Sequence, residues 1–190
     1  MTELKPVNVL PIAFVGLSVA TLTVGMNDLG LLPATANTLV WWLSLCFGGL
    51  MQLGPGIYEL ANRLQLGSCG LIVYGCYWTI VFGGQLLGVF PELGAATVLL
   101  PLKLVMLIFS AVLIYITGGL NAALSIIHML IVLTFSALIA ADFGLVGLLP
   151  AAIGHLLIGV LALYYGLSSY LNSLAGRLIA PLGPRLWVFE

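Results

Sequence analysis

The sequence predicts an all-α integral membrane protein with six transmembrane helices, and composition carries most of that prediction. Of the 190 residues, 62% are hydrophobic and only 6% are charged, and the mean hydropathy is +1.24. A soluble domain carries about 25% charged residues, because its surface must be solvated. The few charged residues also divide the chain into long uncharged runs, and a bilayer core of about 30 Å needs about 20 apolar residues per helix. The chain is therefore predicted to hold six spans joined by short loops.

The uncharged runs predict the position of each span. The first run, 6–27, follows Lys5 and has 22 residues, which favours a retained helix over a cleaved signal peptide. The run 104–141 is too long for one helix, and the turn-like sequence at 117–121, Thr-Gly-Gly-Leu-Asn, divides it. The predicted spans of this single transmembrane domain, 1–190, are 7–27, 37–59, 68–89, 97–117, 121–141 and 149–172.

Short motifs recur near the ends of the predicted spans. An acidic residue with a glycine two positions later follows the first, third and fifth spans, as Asp28-Leu29-Gly30, Glu92-Leu93-Gly94 and Asp142-Phe143-Gly144. Each even-numbered span carries a tyrosine toward its far end, where an amphipathic ring suits the membrane interface. These tyrosines are Tyr58, Tyr115 and Tyr164. The pattern predicts one helical hairpin used three times around a pore in the protomer.

Basic and acidic residues fall at opposite ends of the predicted spans. The basic end carries Lys5, Arg63, Arg177 and Arg185, and the acidic end carries Asp28, Glu92 and Asp142. An excess of basic residues marks cytoplasmic loops. We therefore expect a multi-pass protein of the cell membrane with both termini in the cytoplasm.

Several function classes are disfavoured by the sequence. The net charge is −1, with no basic patch, so no nucleic-acid partner is predicted. Cys46, Cys69 and Cys76 lie within or at the edge of apolar spans and form no CxxC pair, so neither a metal site nor a disulfide framework is predicted. No HExxH, GxSxG or P-loop motif occurs, and no intramembrane carboxylates are paired. We expect a protein that is not an enzyme and that binds no cofactor.

Polar and aromatic residues concentrate on the odd-numbered spans. Tyr74, Trp78 and Gln85 fall within about 40° of one another on the third helix, which places them on one stripe. The first helix offers Thr21, and the fifth offers the pair Leu133-Thr134. The even-numbered helices are largely aliphatic or small, apart from Gln52. The simplest arrangement puts the odd helices around an axis and the even helices outside, although Tyr74 and Trp78 also suit ordinary helix packing.

Ionisable groups inside a membrane are costly, so each is a functional candidate. Lys103 has a side chain long enough to reach water, and it would also bias an outer vestibule toward anions. His128 and His155 are candidates for proton or anion binding, or else neutral imidazoles bonded to a neighbouring helix. Glu59 and Arg63 are four residues apart at a helix end, a spacing that favours an ion pair.

One stretch across the second and third helices is distinctive. It contains Gly48-Gly49, Gln52, Gly56, Glu59, Gly70-Leu71, Tyr74-Gly75 and Trp78. With this spacing, the sequence resembles the acetate uptake transporter family from Asn8 through the sixth span. The resemblance implies six helices, a homohexamer, and conduction of acetate and related small carboxylates, succinate among them, through a pore in each protomer. It also implies that Asn8 and Pro11 belong to an N-terminal signature, and that Leu17, Tyr74 and Leu133 form a hydrophobic constriction.

The residues and the resemblance together predict a channel-like permease for small monocarboxylates, acetate first. The predicted substrate pathway comprises Leu17, Thr21, Gln52, Tyr74, Trp78, Gln85, Leu133 and Thr134. If transport is coupled to protons, the histidines or the protonated acid must carry them. Two alternatives stay open: a channel for urea or another small neutral solute, and a membrane scaffold or sensor that conducts nothing.

Overall fold

The computed structural model describes residues 7–90 and 95–188, and all regular structure in these two stretches is helical. Its long helices are α1 Leu10–Asp28, α2 Ala34–Ala61, α3 Gln65–Leu86, α4 Ala95–Gly118, α5 Ala122–Asp142 and α6 Leu149–Ala175. By length and apolar composition, all six can cross a membrane. The predicted all-α fold is confirmed, and the helix bounds differ from the predicted spans by three residues or fewer. Lys5 and the predicted motif at 92–94 lie outside the described residues.

The helices form a ring in which α1 closes against α6 over an extensive contact. Glycines on both helices allow this approach: Gly25 faces the Ala152 carbonyl oxygen, and Gly166 faces that of Pro11. Lipid tails are as apolar as leucine, so helices in a membrane associate through close packing of small residues. The extensive α1–α6 contact therefore follows from the glycines that these two helices carry.

We expected the even-numbered helices to lie outside the odd-numbered ones, and the structure shows that they do not. Within the ring, α2 packs against α1 and α3, while α5 packs against α4 and α6. Helix α6 is as deeply buried as α1, although it is even-numbered. The physical reason is that α6 carries small residues as well as aliphatic ones, and these let it pack on both sides. All six helices therefore face the interior of the ring.

The odd-numbered helices share one C-terminal motif, which supports a repeated hairpin. Each ends in a glycine with a left-handed backbone: Gly30 has φ 70°, Gly88 has φ 67° and Gly144 has φ 68°. In each case the glycine N–H and the following N–H donate to carbonyls of the last turn, the pattern of a Schellman cap. In α3 the capping glycine is Gly88. The sequence motif predicted Gly94 for this role, so the cap of α3 comes earlier in the chain than predicted.

Helix α2 is irregular at its centre and packs closely on α3. A π-helical segment, Ser44–Leu50, separates its two α-helical parts. Beyond it, Gly56 lies against Ile72, and Gly75 of α3 lies against Leu53. These glycines belong to the stretch that carries the family resemblance, and in the structure they set the distance between α2 and α3.

The chain after α6 folds back across the turn between α4 and α5. Trp187 donates from its indole nitrogen to the Tyr115 carbonyl over 2.8 Å, and the Leu186 N–H donates to the Gly118 carbonyl over 2.8 Å. The Ala123 N–H donates to the Leu182 carbonyl over 3.0 Å. This segment therefore holds the end of α4 and the start of α5 in place.

Candidate functional site

Two cavities enter the ring from opposite ends. The Arg63 cavity, of about 480 Å³, reaches the surface at the loop that joins α2 to α3. The Asp28 cavity, of about 300 Å³, lies where α1 ends and α6 begins. Every one of the six helices contributes side chains to both cavities, but no described residue lines both. The interior of the ring is therefore an interrupted path with a closed layer at its centre.

Apolar and aromatic side chains form the closed layer. Tyr74 lines the Arg63 cavity, and Trp78, one helical turn further along α3, lines the Asp28 cavity. Leu17 of α1 and Ile131 of α5 are 8% and 6% exposed and bound the layer on the Arg63 side. The Trp78 ring lies against Gly48 of the π-helical segment, where a side chain would collide with it, and stacks on Phe82 at 5.2 Å. The layer is thus only about one helical turn thick at α3.

Tyr74 also bridges the loosest seam of the ring, between α3 and α4. Its hydroxyl lies 2.8 Å from the Ser110 hydroxyl, which lies 2.6 Å from the Met106 carbonyl oxygen. A carbonyl oxygen only accepts hydrogen bonds, so the Ser110 hydroxyl donates its hydrogen to the Met106 carbonyl. The Tyr74 hydroxyl is therefore the donor in its bond to Ser110. The Tyr74 ring meets Phe109 edge-on at 5.7 Å. One residue therefore both narrows the path and joins two helices.

The structure brings five of the predicted pathway residues to the cavities. Leu17, Gln52 and Tyr74 line the Arg63 cavity. Trp78 and Gln85 line the Asp28 cavity. The predicted stripe on α3 therefore faces the interior over its whole length, and the layer crosses it between Tyr74 and Trp78.

The two predicted threonines do not line either cavity. The Thr21 hydroxyl donates to the Leu17 carbonyl over 2.8 Å, and the Thr134 hydroxyl donates to the Leu130 carbonyl over 2.8 Å. Both side chains are buried against glycines of α6. A threonine in a helix can satisfy its hydroxyl on the carbonyl four residues earlier. We therefore correct the expectation that they contact the solute.

Leu133 is also misplaced by the sequence prediction. It is 62% exposed and lies on the outer surface of α5, so it does not belong to the constriction. At about 100° per residue, Leu133 points about 200° away from Ile131, which faces the cavity. The inward stripe of α5 comprises Leu124, Ile127, His128 and Ile131. Their spacing of three, four and seven residues is the signal that could have identified this face.

The two predicted signature residues attach the start of α1 to α6. The Asn8 amide nitrogen donates to the hydroxyls of Ser169 and Ser173 over 3.0 and 2.7 Å. Pro11 is buried in the first turn of α1, where its missing N–H costs no hydrogen bond. Neither residue lines a cavity, so their contacts stabilise the α1–α6 seam of the ring.

His128 is buried on α5 and presents one nitrogen for a ligand. Its Nδ1 lies 2.8 Å from the Leu124 carbonyl oxygen, a distance too short for a ring carbon. The carbonyl only accepts, so Nδ1 carries the hydrogen. Thr117, 3.3 Å from Nδ1, already donates to the Leu113 carbonyl over 2.6 Å and so cannot donate to the ring. In the neutral imidazole, Nε2 is therefore an acceptor.

Gln52 and Glu59 are two polar residues of α2 in the Arg63 cavity. Gln52 is 1% exposed, and its amide nitrogen is buried with no partner among the described residues. Glu59 lies against Gly67 of α3 and forms no ion pair with Arg63 in the described part of the chain, contrary to expectation. Arg63 lies beyond the helix with φ 61°, which carries it away from the helical spacing that the prediction assumed.

The Asp28 cavity is lined by an ion pair and a second acidic residue. Lys103 Nζ lies 2.6 Å from Asp142 Oδ2, and the two side chains are 11% and 19% exposed. Asp28 Oδ2 lies 3.8 Å from Nδ1 of His155, which has no hydrogen-bond partner in the described part of the chain. Lys103 is thus neutralised by a carboxylate, with Asp28 as a further acid. This corrects the expectation that Lys103 biases the vestibule toward anions.

Replacing Lys103 with methionine is expected to lower the free energy of unfolding by about 2 kcal/mol, because Asp142 would be left as a largely buried charge without a partner. The double variant Lys103→Met/Asp142→Leu removes both charges and should recover most of that loss. Thermal unfolding in detergent measures both. Equal losses in the single and double variants would show that the pair contributes nothing as a pair.

The fold and the two opposed cavities define a multi-pass helical membrane protein with the architecture of a channel closed at its centre. In the described residues, no group of three or more histidine, cysteine or acidic side chains is placed to hold a metal.

Comparison with solved structures supports this fold. The chain superposes on the bacterial acetate channel SatP with a TM-score of 0.83 and 20% identity, over 94% of this chain and 100% of that one. The fold is therefore that of SatP, as the resemblance in the sequence implied. An uncharacterized protein of Methanothermobacter thermautotrophicus is 24% identical over 191 residues, covering 93% of this chain and 91% of that protein. No family model matches the sequence.

Proposed function

We propose that the protein is a membrane channel or permease that moves acetate and related small monocarboxylates, with succinate in its range, across the cell membrane. The observation that carries the proposal is the pair of cavities separated by one thin apolar layer. A protein that only scaffolds or senses has no need of an interrupted path through its centre. The fold shared with an acetate channel supports the same conclusion.

The lining of the path suggests how a small carboxylate would cross. In the Arg63 cavity, the Gln52 amide would replace a hydrogen bond to water for a carboxylate, and the Nε2 acceptor of His128 would do so for the protonated acid. This matters because an unsatisfied polar group in an apolar medium costs several kcal/mol. At the apolar layer, Leu17, Tyr74 and Ile131 would remove the remaining water molecules from around the solute. Hydrophobic constrictions of this kind gate channels by excluding water. A solute with a small apolar tail would cross such a layer more easily than a fully polar ion.

The assembly and orientation are part of the proposal. We propose a homohexamer with one path in each protomer, and both termini in the cytoplasm. Arg63 and Arg177 lie at one end of the bundle, with Asp28 and Asp142 at the other, which supports the orientation. Proton coupling, if it operates, would use His128 or His155, since each lines a cavity.

The test is flux of labelled acetate into proteoliposomes that contain the purified protein. We expect uptake well above that of empty liposomes, and suppression by excess unlabelled acetate. Uptake equal to that of empty liposomes would refute the proposal. Labelled urea entering faster than labelled acetate would assign the protein to the alternative class of channels for neutral solutes.

A further inference from the structure

The Arg63 cavity is lined by two buried polar groups that have no hydrogen-bond partner among the described residues. The first is Nε2 of His128, an acceptor in the neutral ring because Nδ1 carries the hydrogen. His128 is 7% exposed and lines the cavity, and no described residue bonds to its Nε2. A group that enters the cavity with a hydrogen to donate would therefore find a fixed acceptor on α5.

The second group is the amide nitrogen of Gln52 on α2. It is a donor that is buried without an acceptor among the described residues. A buried donor left unpaired is destabilising, so an acceptor supplied by a ligand recovers free energy. Gln52 and His128 line the same cavity, and between them α3 contributes Tyr74, whose ring centre lies 6.1 Å from that of His128.

The rest of the cavity limits what the ligand can be. The other titratable groups that line it are Glu59, Arg63, Tyr74 and Tyr165. Tyr74 donates its hydrogen to Ser110, and Arg63 lies beyond the end of α2 at the mouth. The deep part is otherwise aliphatic and aromatic, with Phe14, Leu17, Ile127 and Ile131. It suits a small ligand that has an apolar tail and one uncharged head with both a donor and an acceptor.

We infer that the Arg63 cavity also binds small primary carboxamides, of which acetamide is the simplest. The amide N–H donates to Nε2 of His128, the amide carbonyl accepts from the Gln52 nitrogen, and the methyl group contacts the apolar layer. Acetate lacks a hydrogen for Nε2 unless it brings a proton, whereas acetamide carries one permanently. This ligand class goes beyond the proposed transport of carboxylates, and it uses the same cavity without depending on acetate conduction.

The experiment is equilibrium binding of labelled acetamide to the full-length protein in detergent, with unlabelled amides as competitors. N,N-dimethylacetamide has the same carbonyl and apolar tail but no N–H. A site that bonds an N–H rejects an analogue lacking it, so we expect dimethylacetamide to compete at least about tenfold less well than acetamide. This comparison uses the unaltered protein and does not depend on whether a variant folds.

Two variants then test the two groups. His128→Phe keeps a ring and removes the acceptor, and Gln52→Met keeps the length and removes the donor. Each should weaken acetamide binding by about tenfold, since each leaves one head-group bond unmade. Leu133→Ala, on the outer surface of the helix that carries His128, is the control and should bind as the unaltered protein does.

The inference is overturned if dimethylacetamide competes as well as acetamide, if a folded His128→Phe variant binds acetamide unchanged, or if acetamide does not bind. Acetate flux that persists without acetamide binding leaves the proposed function standing. Acetamide binding by a protein that moves no acetate supports the inference and refutes the proposed function.

Discussion

Replacing Tyr74 with alanine is expected to raise the flux of labelled acetate through reconstituted protein by about tenfold or more, because a barrier lowered by 1.4 kcal/mol gives a factor of ten. The Tyr74 ring lies where the two cavities approach each other most closely on α3. Removing it leaves space that joins the cavities and lets water enter the apolar layer. Initial rates of uptake into proteoliposomes, at matched protein content, measure the effect.

Tyr74→Phe is the matched control for this experiment. It keeps the ring in the layer and removes only the hydroxyl that donates to Ser110. We expect near-normal flux and a loss of about 1 kcal/mol in unfolding free energy, the usual contribution of one hydrogen bond. A folded Tyr74→Ala protein with normal flux would contradict the gate. Absence of flux in both the variant and the unaltered protein would favour the scaffold or sensor alternative, in which Tyr74 affects only stability or assembly.

Replacing Gly16 with leucine is expected to lower the free energy of unfolding by about 3 kcal/mol, at the upper end of overpacking costs. A Cβ atom at this position of α1 would lie 2.5 Å from the Phe47 carbonyl oxygen and 2.9 Å from Met51 Cβ. Backbone cannot yield as a flexible side chain does, so α1 and α2 would have to separate. Unfolding by denaturing detergent, followed by circular dichroism, measures the loss.

Gly54→Leu is the control, because a side chain at Gly54 meets nothing within 4 Å. Leucine also favours helix over glycine by roughly 0.5–1 kcal/mol, so this variant should be neutral or slightly more stable. Stability changes of opposite sign at Gly16 and Gly54 would show that close packing, and not helix propensity, determines the effect of the leucine. Equal stability of the two variants would contradict the tight α1–α2 contact.

The helices could be predicted from the sequence because a membrane leaves the backbone little choice. No water is present to satisfy a broken N–H, so each apolar run of sufficient length becomes a helix. The positions of the few charged residues then separate the runs. The position of Tyr74 and Trp78 toward the interior was also predictable, because aromatic and polar residues on α3 share one face.

Which face of α5 points inward could not be predicted in the same way. Most of the helix is apolar, and lipid is as apolar as a protein interior, so only the spacing of His128 with its apolar neighbours marks the inner face. The inward position expected for Leu133 rests on the family resemblance, and in the structure Leu133 faces outward. Thr21 and Thr134 were misleading for a related reason, since each satisfies its hydroxyl within its own helix. The partner of Lys103 lies 39 residues away, and only the folded ring brings Asp142 to it.

The closure of the ring between its first and last helices has a consequence for how the protein is made. The bond from Asn8 to Ser169 joins residues 161 positions apart. Contacts between distant parts of a chain are slow to form, because a long loop must close first. During synthesis, α1 must therefore wait in the bilayer with its glycine face unpaired until α6 has been inserted. Mutations at the contact between α1 and α6 are expected to delay folding of the inserted chain. Protease-sensitive bundles in which the ring is still open would then accumulate.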